Sequence, residues 1–254
     1  MDPTMYATGL GLAVAGALVW LLYFDSKDRA APEPRHRLLS AVFLGILSAG
    51  LASLVFEAIE AIGYPEPGGG PVVGTAVLCF GFVGPIEELC KALPFVLFVL
   101  RFPEFDEPVD GIIYASAIAI GFAAAETALY VPHSSLPDQV ARAFASPLTH
   151  AVFASVWGYG FAHARFSAET PSRRASWRVL SLALAATAHG LYDFAIFAFD
   201  ASLAASGVTL SLWLAMLYKV RTLTRTADLP ESAVDPADVL PRSGTDGRSH
   251  LRNS

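Results

Sequence analysis

Long apolar runs broken by short polar loops dominate the chain. Seven of them stand out, six of about twenty residues or longer and a shorter last one: Tyr6–Phe24, Leu38–Ile62, Val72–Leu100, Val109–Val131, Ala143–His163, Trp177–Phe199 and Leu203–Tyr218. A helix needs about 20 residues to cross roughly 30 Å of hydrocarbon. Each run is therefore predicted to be a membrane-spanning helix. The last is the shortest and lies only a few residues after its neighbour.

Composition supports the same picture. Hydrophobic residues make up 54% of the 254-residue chain and charged residues 16%, with a mean hydropathy of +0.49. A soluble domain is nearer a quarter charged. The expected fold is all-α, a multi-pass bundle of about seven helices in the cell membrane with the lipid bilayer as its partner. Lys and Arg set orientation through the short loops. Lys27, Arg29, Arg35 and Arg37 follow the first span, Arg101 closes the third, Arg165, Arg173, Arg174 and Arg178 separate the fifth from the sixth, and Lys219, Arg221 and Arg225 follow the last. Of the intervening loops, only the one holding Arg142 carries a basic residue. The alternation predicts an outer N-terminus and a cytoplasmic C-terminus.

The first span has no basic segment ahead of it and is long for a signal-peptide core, so it is expected to be retained. Residues 1–226 read as one transmembrane domain with a motif-bearing core over 72–200. Residues 227–254 read as a polar, disordered cytoplasmic tail. Cys79 and Cys90 lie at membrane depth and read as packing residues, with no disulfide framework or CxxC metal signature. The net charge of -6 says little about partners, and no basic nucleic-acid patch, phosphate loop or internal repeat is present. Nothing in the sequence marks an oligomeric state.

Against this background the stretch "GFVGPIEELCKALPFVLFVL" stands out, because Glu87, Glu88 and Lys91 lie inside it. Ionisable residues within spans are costly and are functional candidates by default. The others are Glu126 in the fourth span, His150 in the fifth, and His189 with Asp193 in the sixth. Glu57 and Glu60 read as outer-edge residues of the second, and Tyr192 and Phe122 as packing beside the site. At about 1.5 Å per residue, Glu87, Glu126, His150 and His189 all fall between the outer third and the middle of the bilayer. They can converge on one outward-opening site.

Gly84–Pro85 suits a break and a new first helical turn, which would set Glu87 and Glu88 near a positive helix end. Lys91 follows them by four and three residues and can reach either. The two glutamates are about 100° apart on the helix, so one is expected to face the reaction centre while the other pairs with Lys91 or water. His189 and Asp193 share one face, where the carboxylate can orient the imidazole.

At these residues the chain resembles the PrsW family of intramembrane proteases. "PIEELCK" matches its EExxK motif, "GFAAAE" its FAxxE motif, "SPLTHAVF" its lone histidine and "HGLYDF" its final His-aromatic-Asp motif. The ordered set covers roughly Gly81 to Phe199. Wider relatives are the CAAX-protease and bacteriocin-processing enzymes, against which Lys91 replaces an arginine one position later and Glu126 replaces a histidine. Thr127 stands where the family often has asparagine, and the first two spans match no motif. The resemblance implies a hydrolase that cuts a membrane-anchored, anti-sigma-factor-like protein near the outer face.

Amide hydrolysis needs an activated water, a polarised carbonyl and a proton for the leaving amine. No Ser or Asp protease signature is present, and Cys90 lacks a dedicated histidine. Two mechanisms stand. Glu87 or Glu88 acts as the base, with His150 and His189 stabilising the oxyanion. Alternatively His150, His189, Glu87 and Glu126 hold a metal, with zinc the candidate, although HExxH is absent. Lys91, Glu126 and Asp193 are supporting residues in either case. A transporter relay or a non-catalytic scaffold are the other classes; a transporter would more often show two related halves with paired broken helices.

Overall fold

The computed structural model describes residues 3–27, 32–63 and 72–227, and no strand occurs among them. Its long helices are α1 (Pro3–Asp25), α2 (Arg35–Ala61), α5 (Pro108–Tyr130), α6 (Leu136–Phe166), α7 (Pro171–Phe199) and α8 (Ser202–Ala227). The third span is composite, with α3 (Val72–Leu78) and α4 (Gly84–Leu97) flanking five π-helical residues, Cys79–Val83. Six spans are long and apolar enough to cross a membrane: α1, α2, the composite span, α5, α7 and α8. The chain is a multi-pass helical membrane protein. The tail expected beyond Ala227 lies outside the described residues.

The helix α6 is not among those six because its own sequence is less apolar, and it lies inside the bundle. Its stretch from Thr149 to Ala164 is almost entirely buried, enclosed by α1, α5, α7 and α8. A helix covered by protein needs no continuous apolar coat, so it tolerates Thr149, His150 and Ser155. Its partner α5 is buried at every position from Val109 to Ala123, and the two form the centre of the bundle. Glycines bring them together. A Cβ on Gly111 would collide with the Gly158 carbonyl, and one on Gly158 with the Gly111 carbonyl. Likewise α2 and α5 meet at Gly45 and Gly121. Without a hydrophobic force between helices in lipid, such backbone approach is what association draws on.

Two expectations change. The third span is not broken at Gly84–Pro85. The Gly84 N–H donates to the Cys79 carbonyl five residues back, and Pro85 lies in the first turn of α4. Proline has no N–H to offer, and the wider turn absorbs that loss without freeing a helix end. No free N-terminal dipole therefore acts on Glu87 and Glu88. The last span is also longer than the run Leu203–Tyr218 suggests. Asp200, in the left-handed region at φ 50°, closes α7 so tightly that α8 starts at Ser202 and continues to Ala227, carrying Lys219 and Arg221 on its final turns.

Candidate active site

Glu87, Glu88 and Lys91 lie within the first two turns of α4 and are all buried. Lys91 is the hub. Its Nζ lies 2.8 Å from Glu88 Oε1, 3.3 Å from Glu87 Oε2 and 2.7 Å from His150 Nδ1 of α6. The ammonium also sits 4.2 Å from the centroid of the Phe122 ring, a cation–π contact. Phe122, expected as packing, thus caps the cation on the side its carboxylate partners leave open.

The two glutamates have different surroundings. Glu88 is saturated: Oε1 receives Lys91 and lies 2.9 Å from His189 Nδ1 of α7, while Oε2 accepts the Trp157 indole N–H at 2.8 Å. Among the described residues, Glu87 has Lys91 as its hydrogen-bond partner and lies between the two imidazoles, 3.8 Å from His150 Nδ1 and 3.7 Å from His189 Nε2. With the His189 Nδ1 proton held by Glu88, its Nε2 points at Glu87 and at Asp193, 3.5 Å away. The rings of His150 and His189 stand edge to face at 5.1 Å, and Phe153 stacks on His189 at 5.1 Å.

On the far side of His150, Nε2 lies 3.0 Å from Glu126 Oε2, while Glu126 Oε1 accepts from Arg142 at 3.2 Å. The contact to Oε2 is close but off the line of a ring N–H, and no protein group hydrogen-bonds that oxygen. All seven predicted residues therefore form one cluster. Glu57 and Glu60 are exposed on α2.

Backbone contact fixes α4 against α7. A Cβ on Gly84 would strike the Ala186 carbonyl, and one on Gly190 would lie 2.7 Å from the Cys79 carbonyl oxygen. These glycines flank the chemistry, three residues before Glu87 and one after His189. Sequence reading missed this crossing, the Trp157 donor and the role of Arg142. Trp157 had an available signal, being seven residues and so about two turns after His150 on the same helix.

The donor set suits a metal ion. One ligand atom each from Glu87, His150 and His189 lie within 4.8 Å of one another, and Glu126 Oε2 offers an uncommitted carboxylate oxygen beside His150. Two imidazoles with carboxylates are ordinary zinc ligands. Among the described residues, the four carboxylates face two fixed cations, Lys91 and Arg142. With neutral histidines the cluster thus has negative charge in excess, which favours a cation.

A helical membrane bundle with a buried Glu–His–Lys cluster of this kind has the groups that hydrolysis within a membrane requires. Sequence comparison makes the class specific. The description "PrsW family intramembrane metalloprotease" matches residues 33–220, and the chain belongs to that family; it is an intramembrane protease. It is 32% identical over 213 residues to Protease PrsW of Geobacillus kaustophilus (strain HTA426), covering 84% of this chain and 90% of that one. To Protease PrsW of Bacillus subtilis (strain 168) it is 32% identical over 187 residues, covering 73% and 81%. To Protease PrsW of Clostridioides difficile (strain 630) it is 28% identical over 191 residues, covering 72% and 76%. No solved structure matches the chain.

Proposed function

We propose that the protein is a metallo-endopeptidase that cuts a membrane-anchored, anti-sigma-factor-like protein near the outer face. The substrate class comes from the family resemblance, and the outward position from the alternating basic loops, which put the N-terminus outside. The single transmembrane domain spans 1–226, with its chemistry within 72–200. The reading rests above all on the contrast between Glu87, flanked by two imidazoles with one weak partner, and Glu88, with every strong acceptor position filled.

Without a metal, Glu87 takes a proton from the attacking water and passes it to the leaving amine; as a zinc ligand it would instead help hold the ion that activates the water. Burial suits it to taking and returning that proton. Glu88 holds His189 with Nε2 turned inward and keeps Lys91 in place, the second-layer support a ligating histidine needs. Asp193 flanks His189 Nε2. Glu126 lies beside His150 Nε2, and Lys91 provides positive charge against Glu87 and beside any developing oxyanion. His150, His189, Glu87 and Glu126 would hold zinc, which when bound supplies Lewis acidity toward water and the scissile carbonyl.

A metal-free glutamate mechanism has one observation in its favour: Lys91 already bridges Glu87, Glu88 and His150. Reconstitution with a single-span substrate, with elemental analysis, separates the two. In the metal reading wild type carries zinc, chelation abolishes cleavage reversibly, and H150A and H189A lose zinc and activity together. Fully active, metal-free wild type overturns zinc and leaves the glutamate base standing.

A further inference from the structure

Hydrolysis consumes water, and this cluster lies deep in a bundle. Exposure around it falls in a definite direction. Side-chain exposure is 35% at Arg142 and 22% at Glu126, 9% at both His150 and Glu87, and nil at Lys91 and Glu88. Asp193, on the α7 side, is only 13% exposed. The cluster is therefore most open through the corner where α5 ends and α6 begins.

That corner has an unusual polar lining. Arg142, Ser146 and His150 follow at four-residue intervals on α6 and share a stripe. Glu126 reaches across from α5 to the first and last of them. Among the described residues, the buried Arg142 Nε and Ser146 Oγ have no hydrogen-bond partner, and Glu126 Oε2 has only its off-line contact to His150. Ser146 is the most telling. Ser40, Ser48, Ser53, Ser206 and Ser211 each bond the carbonyl four residues back, the usual refuge for a helical serine. Ser146 forgoes it. Polar atoms left bare towards lipid are costly, and this line of underused donors and acceptors suits ordered water, which takes two to four polar partners.

We infer that the Arg142–Ser146–Glu126 corner is the hydrated passage by which water reaches Glu87 and His150. Arg142 and Glu126 form its mouth, and Ser146 its waist. The passage rests on the assignment of the cluster as the hydrolytic site, but its existence is tested without any activity.

The test is cysteine labelling of the full-length protein with a small, charged, membrane-impermeant thiol reagent. It is run on intact cells and inverted vesicles and read site by site by mass spectrometry. Ala145, one residue away at the same depth, is exposed on another face of α6, so A145C controls for depth. The buried Cys79 and Cys90 serve as internal references. The expected result is labelling of S146C at least tenfold faster than A145C, from the outer side. Equal labelling of both, no labelling of S146C from either side, or labelling only from the cytoplasmic side overturns the passage. Thermal unfolding in detergent checks that S146C folds. If it does not, hydroxyl-radical footprinting of the unmutated protein reads the same passage at His150, and a protected His150 overturns it. Absence of cleavage by the unmutated protein, with the labelling pattern as expected, would count against the hydrolytic assignment alone.

Discussion

Two corners of one cluster are built to opposite rules. Around Glu88 every strong position is taken: an ammonium, an imidazole and an indole hold its two oxygens, and its exposure is nil. Around Glu87 and Glu126 the groups outnumber their bonds, an oxygen stands without a partner, and the exterior begins within a side chain's reach. One helical step separates Glu87 from Glu88, yet about 100° of rotation puts one in a frame and the other in a workspace. A buried carboxylate is thus not reactive by virtue of burial. It becomes available when its neighbours leave it lone pairs to use.

The sharpest way to break this contrast is to neutralise each glutamate in turn. E87Q is expected to lose about 10²–10⁴-fold in cleavage, the usual weight of a general base, while its thermal midpoint in detergent stays near wild type, because Lys91 keeps Glu88. E88Q should lose comparable activity and about 3 kcal/mol of stability besides, since breaking a buried ion pair strands its partner. Equal midpoints for the two variants would remove the distinction between frame and workspace.

A smaller effect is expected where α4 crosses α7. G84A and G190A each force a methyl into a backbone carbonyl and push the glutamates from His189. Activity should fall about 10²-fold, the scale of a 1 Å misplacement, with Glu87 and Glu88 intact. Wild-type rates in both variants would mean that the crossing does not set the geometry.

The mildest change, W157F, takes the indole donor from Glu88 Oε2 and keeps a ring against Phe95, whose centroid lies 5.2 Å away. A hydrogen bond to a charged group contributes about 1.5 kcal/mol, so stability should drop by that much with roughly tenfold lower activity. No change in either would show that the frame holds without its third donor.

The ionisable residues of the site were legible in the sequence because charge inside an apolar run has few ordinary explanations, and their matching depths pointed to convergence. What escaped was everything made of common residues. Glycines occur throughout apolar spans, so nothing about Gly84 or Gly190 says that they face each other's helices. Arg142 reads as a loop charge until α5 is beside it and Glu126 meets it. The continuous path through Cys79–Val83 was hidden for another reason: a Gly-Pro pair fits a broken helix and a π turn equally well, and only the bond from Gly84 to Cys79 separates them.

The enclosed, comparatively polar α6 bears on how the protein is made. A segment enters the bilayer from the translocation machinery according to its own apolarity, and α6 alone falls short of the standard its six fellow spans meet. Its burial against α5 therefore has to begin during synthesis, with the two helices entering lipid as a hairpin and the polar face of the second shielded by the first. The residues that equip α6 for chemistry thus make its insertion dependent on a neighbour. A ribosome-bound chain lacking α5 is expected to leave α6 outside the membrane.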